Sequence, residues 1–307
     1  MSTAPSPTGL EPAILRTVAY SDVFDFPLRE AELCRYLDGV SARPAEVRAA
    51  LPGLTGVLVR DDDGLVALAG RDRLFELRRH RARESARLWP AARRWGRRLG
   101  RLPLVRMVAV TGALAVDNAT PDADVDFLIV TEPGRVWLCR SLVIQAVRAA
   151  RLGGTVLCPN WLLAADALTL GDRGLYAARE LAQMVPVVGH EVYRRMRRLN
   201  AWSDRVLPNA AGPPPGTGPD AGGRRGVLVR TAERALVGRL ASPVEAWERR
   251  RKSREILAGG CGTDEVVLDH RQCKGHVDAH GDRIRRAYAD RLRALGIDSL
   301  TDSGPPV

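Results

Sequence analysis

The stretch "VAVTGALAVDNATPDADVDFLIVTEPG", residues 108–134, decides the fold. It opens and closes on apolar, β-branched runs of strand length, joined by a polar segment rich in Asp, Asn, Thr and Pro. The first run ends at Thr111-Gly112, and the second opens on Asp124-Val125-Asp126. Side chains at i and i+2 of a strand share a face, roughly 6.5–7 Å apart along the chain. Asp124 and Asp126 therefore point one way, while Val125 and Phe127 turn to the core. Holding two carboxylates side by side is costly unless positive charge sits between them. Divalent cations such as Mg²⁺ prefer hard oxygen ligands of this type, and a pair of them suits a metal site for phosphoryl displacement. Gly112, at the end of the first strand, lets a ligand approach the backbone closely, and the amides after it can meet phosphate oxygens.

Upstream, residues 11–23 have a helical apolar period, with Pro12 in the first turn. "PLREAELCRYLDG" repeats that period up to Gly39, and a third helix is expected from Pro44 to about Leu51. "GVLVRDDDGLVALAG" then reads as a hairpin turning at Asp63-Gly64. Three helices followed by a hairpin is the order of a winged-helix module. Its presumed third helix carries only two arginines and its hairpin tip carries three aspartates, which would repel a phosphate backbone. A packing or dimerisation role is the expectation. Residues 71–100 read as a long Arg-rich helix interrupted near Pro90.

Downstream, a helix at about 135–152 and a strand at 155–163 follow the quoted stretch, with helices through to residue 208. Leu181, Met184 and Val185 fall at helical spacing and read as core. "NAAGPPPGTGPDAGGRRG" has the composition of a flexible linker. Residues 227–257 and 276–295 read as helices, with "DEVVLDH" a short strand between them. The resulting division is 1–72 a winged-helix-like module, 73–100 a connecting helix, 101–208 the core with trailing helices, 209–226 a linker, and 227–307 a C-terminal helical region.

The 307 residues are 45% hydrophobic and 27% charged, which is ordinary for a globular chain of two or three domains. The five cysteines are odd in number and scattered, and read as reduced thiols in a cytoplasm. The polar N-terminus "MSTAPSPTGLEP" reads as neither signal peptide nor anchor, and the apolar runs are too short to span a bilayer. A net charge of +11 invites a nucleic-acid partner. Only Lys252 and Lys274 are lysines, however, and Arg with abundant Ala, Gly and Pro is the pattern of a GC-rich coding bias. Nucleic acid is therefore open as a partner but not favoured.

The whole pattern, "TGALAVDNATPDADVDFLIV" between apolar strands, resembles the signature of the DNA polymerase β-like nucleotidyltransferase superfamily. The match covers residues 104–163. It implies an α+β fold, with a small mixed-sheet core flanked by the N-terminal module and C-terminal helices. It also implies an activity: an NMP moves from an NTP to a small-molecule or protein acceptor, and pyrophosphate is released. Asp124 and Asp126 would hold Mg²⁺ or Mn²⁺, and Thr111, Gly112 and Ala113 would contact the phosphates. The family's serine after the glycine is Ala113 here, which Thr111 partly replaces. The third family carboxylate falls at Asn160, so Asp166 and Glu180 are further candidates for that position. These departures keep a second expectation open: a non-catalytic nucleotide-binding or scaffold protein that engages nucleic acid or a protein partner.

Lys274, in "CKGH", keeps an ammonium where Arg is the rule and is a candidate phosphate contact. Cys273, His276 and His280 have a spacing that suits zinc, but no close second cysteine accompanies them, so structural histidines are the expectation. No G-x-S-x-G motif marks a hydrolase.

Overall fold

The computed structural model describes residues 7–222, 227–238, 241–258, 267–274 and 280–297. It is a mixed helix-and-sheet fold of the α+β kind built on two sheets. The N-terminal part runs α1 (Pro7–Asp22), β1 (Leu28–Arg29), α2 (Glu30–Arg35), α3 (Pro44–Ala50), β2 (Leu58–Arg60) and β3 (Leu65–Leu68). Its antiparallel sheet has the order β1-β3-β2. The hairpin turns at Gly64, whose φ of +79° suits glycine, and the Asp61 carboxylate accepts the Leu65 N–H at 2.7 Å.

The expected second helix is shorter than its apolar stripe. Leu28 and Arg29 pair with Val66 and Leu65, and the helix begins only where the Glu32 carboxylate accepts the Arg29 N–H at 2.8 Å.

Helix α4 (Arg73–Gly100) then runs unbroken through Pro90, contrary to the expected interruption. Proline removes one backbone donor. The C-terminal half is nonetheless held in line because Ala92, Trp95 and Leu99 are buried in the central core. Gly96 and Gly100 let this helix lie against Val187 and Val188; a Cβ at Gly100 would strike Val188, and one at Gly96 would crowd Val187.

The central sheet comprises β4 (Val105–Val110), β5 (Val125–Thr131), β6 (Leu157–Ala164), β7 (Val185–Val188), β8 (Val267–Leu268) and β9 (Gln272–Lys274), in the order β7-β4-β5-β6-β9-β8. The short α5 (Gly112–Ala115) follows β4, and α6 (Val136–Leu152) makes the crossover from β5 to its parallel neighbour β6. All other pairings are antiparallel. Alternation divides the sheet into two faces. Val125, Phe127, Ile129, Leu162 and Cys273 pack with α4 and α6. Leu128, Val130, Met107 and Leu163 pack instead with α7 (Leu175–Gln183) and α8 (His190–Leu199).

Two strands were not legible as strands. The apolar run "MVPVV" reads as the end of a helix, but α7 stops at Gln183 and Val185–Val188 forms an edge strand, where Pro186 is tolerated. Leu181, Met184 and Val185 are buried, as their spacing suggests. The C-terminal region is also not helical throughout. Besides α10 (Val227–Val237), α11 (Ala241–Ala258) and α12 (His280–Ala294), it donates two strands to the central sheet: β8, within the "DEVVLDH" expected as a short strand, and the unexpected β9.

After α9 (Ser203–Val206), the described part of the linker-like segment, 209–222, is fastened to the fold. Asn209 Nδ2 donates to the carbonyls of Cys34 and Ala42 at 2.8 and 2.9 Å. The Asp220 carboxylate caps α8 through the amides of Gly189 and His190 at 3.1 and 2.9 Å. No helix among the described residues is long and apolar enough to cross a membrane.

Candidate metal and nucleotide site

The site forms where β4 ends and β5 begins. The Thr111 N–H donates to the Asp126 carbonyl at 3.0 Å, which carries the ladder one residue past β4. The chain then turns sharply at Gly112, whose φ is +65°. A Cβ at this position would run into the Asp126 carboxylate. Glycine is thus required twice, by its backbone conformation and by the carboxylate lying against it. Thr111 is buried and Ala113 is exposed just beyond the turn.

Asp126 lies on the α7 face of the sheet, as the opposite orientation of Val125 and Phe127 dictates. Its register partner on β6 is Cys158. Asp124, Asp126 and Cys158 each present a ligand atom, and these atoms lie within 4.8 Å of one another. Burial raises the Asp126 pKa to about 7, with the Asp124 and Glu180 charges adding to the effect and a hydrogen bond from Cys158 opposing it. Burial and then the two aspartates push the Cys158 thiol far above its ordinary range. The thiol therefore stays protonated at neutral pH and donates to the carboxylates. No cation figures among the groups that shift Asp126, and neither aspartate has an ion-pair partner among the described residues.

The same face carries three more of the singled-out residues or their neighbours. Lys274 lies on β9 opposite Trp161, its Nζ 5.1 Å from the indole centroid. The Trp161 N–H is buried without an acceptor among the described residues. Glu180, on α7, is desolvated by its surroundings, which raise its pKa while Lys274 opposes the rise. Glu180 and Lys274 thus lie within electrostatic reach of one another, and Glu180 within reach of Asp126.

Asn160 sits in the bulge of β6 between the pairs Asp126–Cys158 and Leu128–Trp161. Asp166 lies past the opposite end of β6, beyond Ala164, where it is exposed and meets Arg271 at 3.8 Å. Along a strand that is roughly 20 Å or more from Asp126, so Asp166 cannot complete the site. Cys158 was missed as the third corner. Its position follows from the β5–β6 register, which a parallel crossover leaves undetermined in sequence. The zinc spacing does not assemble around Cys273, which points into the opposite, apolar face. His276 and the His280 side chain lie outside the described residues.

Two carboxylates with no cation between them offer the oxygens that a hard divalent ion takes, whereas a protonated thiol adds little to such a set. Comparison with protein-family models, curated proteins and solved structures finds no match.

Proposed function

We propose that the chain is a Mg²⁺- or Mn²⁺-dependent nucleotidyltransferase that moves an NMP from an NTP to a small-molecule or protein acceptor. The observation that carries this reading is the un-neutralised Asp124/Asp126 pair with Gly112 pressed against it. Asp124 and Asp126 would hold the metal, which when bound supplies charge neutralisation to the triphosphate. Gly112 lets the Asp126 carboxylate lie against the backbone, and Thr111, Gly112 and Ala113 would contact the phosphates. Lys274 lies two strands from Asp126, about 10 Å across the sheet at standard strand spacing, and its ammonium would neutralise the outer phosphates. Glu180, whose pKa burial raises, would take the proton of the acceptor hydroxyl. The acceptor oxygen then bonds to the α-phosphorus, the bond from α-phosphorus to the bridging oxygen breaks, and pyrophosphate leaves.

Cys158 favours a second reading. The third corner holds a neutral thiol in place of an acid, which suits nucleotide binding without turnover. Incubation with each labelled NTP and either metal, across an acceptor panel, separates the two. Pyrophosphate release or self-labelling that disappears in Asp124→Asn/Asp126→Asn supports the enzyme; saturable metal-dependent NTP binding without release supports the binding protein.

The N-terminal module is proposed as a winged-helix-like packing unit. Its element order and β1-β3-β2 sheet support that reading. Its acidic tip is gripped from α4, where Arg79 Nη2 meets Asp63 at 2.8 Å, and Arg79 also pairs with Asp61.

A further inference from the structure

The two halves of α4 treat their arginines differently. In the first half Arg79 pairs with Asp61 and Asp63, Arg83 with Glu76, and Arg87 with Glu84, while exposed Arg73 has no ion pair among the described residues. No Asp or Glu occurs between Glu84 and Asp117. Arg93, Arg94, Arg97, Arg98 and Arg101 fall in this acid-free window, are exposed, and have no ion pair among the described residues. At 100° per residue all five lie within an arc of about 140° on one side of the helix, spread over roughly 12 Å. Arg93 stacks on Trp89 at 5.2 Å and Arg98 on Trp95 at 4.6 Å, which holds both guanidinium groups in place. The nearby Asp220 does not neutralise the stripe, because its carboxylate is taken by the amides of Gly189, His190 and Gly222.

We propose that this stripe is a docking surface for the phosphodiester backbone of a nucleic acid, independent of base sequence. A GC-rich coding bias accounts for Arg over Lys, but neither for the absence of acids nor for the alignment on one face. The helix dipole favours Arg97, Arg98 and Arg101 at the C-terminus, but not Arg93 and Arg94 two turns earlier. Consecutive phosphates of one strand lie about 3.4 Å apart along a duplex axis, so a 12 Å stripe matches three to four of them. Arg forks suit phosphate oxygens. An anionic membrane is a poor fit, because none of the exposed large hydrophobic residues lies on α4. The surface is separate from the Asp124/Asp126 site: Trp95 and Leu99 pack on the opposite face of the central sheet from Asp126.

Fluorescence anisotropy of the full chain with labelled duplex DNA, duplex RNA and single strands of each, from 50 to 200 mM salt, tests this. With three to five phosphates neutralised, affinity for duplex DNA is expected to fall roughly 40- to 500-fold across that range. Replacing all five arginines with glutamine should remove binding. The pair Arg97→Gln/Arg101→Gln, which leaves both Trp stacks intact, should weaken it at 50 mM salt and lower the salt slope by about 0.9 for each lost contact. Arg194→Gln/Arg195→Gln/Arg198→Gln, an equally exposed set on α8, should leave binding within twofold, as should Asp124→Asn. The proposal is overturned by absence of binding at 50 mM salt, by folded stripe variants that bind like wild type, by an equal loss in the α8 set, or by polyglutamate competing as well as duplex. The preferred strand type identifies the nucleic acid.

Discussion

Strands β4 and β5 carry acidic side chains near both ends of their pairing, and the two ends handle the charge in different ways. At the Val105–Thr131 end, Arg106 lies between two acids, its Nε 2.7 Å from Glu132 and its Nη1 2.5 Å from Glu233. At the other end, Asp124 and Asp126 are brought together with only a thiol between them. Desolvating a carboxylate is unfavourable at either end. In one case the chain supplies the cation; in the other it leaves the pair open and holds Asp126 partly protonated instead. A structural acid cluster would be expected to resemble the first. The second leaves an acidic pair without a cation among the described residues, which is the observation behind the proposed metal site.

Removing both aspartates as Asp124→Asn/Asp126→Asn should have the largest effect on this contrast. Metal-dependent NTP affinity should fall at least about 100-fold, while the urea midpoint stays level or rises because like charges are relieved. A drop in stability with unchanged affinity would make the pair structural.

Gly112→Ala should come next. It forces a non-glycine residue into the left-handed region and displaces the Asp126 carboxylate, costing about 2 kcal/mol of stability. The same change should lower metal–nucleotide affinity at least tenfold, read by denaturation and by titration calorimetry in parallel. Arg106→Ala, at the neutralised end, should cost about 1–2 kcal/mol, since its partners are only partly exposed and lose their cation. It should leave nucleotide affinity unchanged, and any loss there would erase the distinction between the two ends.

The smallest effect is a pH dependence. The Asp126 carboxyl titrates near pH 7 in the folded chain, against an ordinary 3.8. The folded state therefore holds this proton more tightly than the unfolded state does. The stability associated with it is complete below about pH 4 and is lost as pH rises through 7. Urea midpoints of metal-free protein should drift down over that window, and Asp126→Asn should flatten the drift. Metal affinity should run the opposite way, tightening up to about pH 7, because the cation needs the carboxylate deprotonated.

The parts legible in sequence were those set by local periodicity. Asp124-x-Asp126 declares a shared face by strand alternation, Gly112 marks a turn, and Asp63-Gly64 marks a hairpin. What escaped depends on pairing between distant segments. Strand β9 is three residues with one apolar side chain, and only its pairing with β6 and β8 makes it a strand. Cys158 reaches the third corner through a register fixed by the α6 crossover and shifted by a bulge at Pro159 and Asn160.

Buried arginines were also hidden. Arg78 is 1% exposed and donates to the Asp117 carbonyl at 2.6 Å and to Glu32 at 3.0 Å. Arg179 lies between the rings of Tyr20 and Tyr36, 4.8 Å from each. In a chain with so many arginines, nothing local separates these from the solvated ones.

The most direct test of the account is titration calorimetry of each NTP, with Mg²⁺ and with Mn²⁺, into wild-type protein and Asp126→Asn. The account predicts saturable binding of at least one metal–NTP to the wild type, lost on chelation and absent from the variant. Failure of the wild type to bind any metal–NTP, or equal binding by the variant, would contradict it.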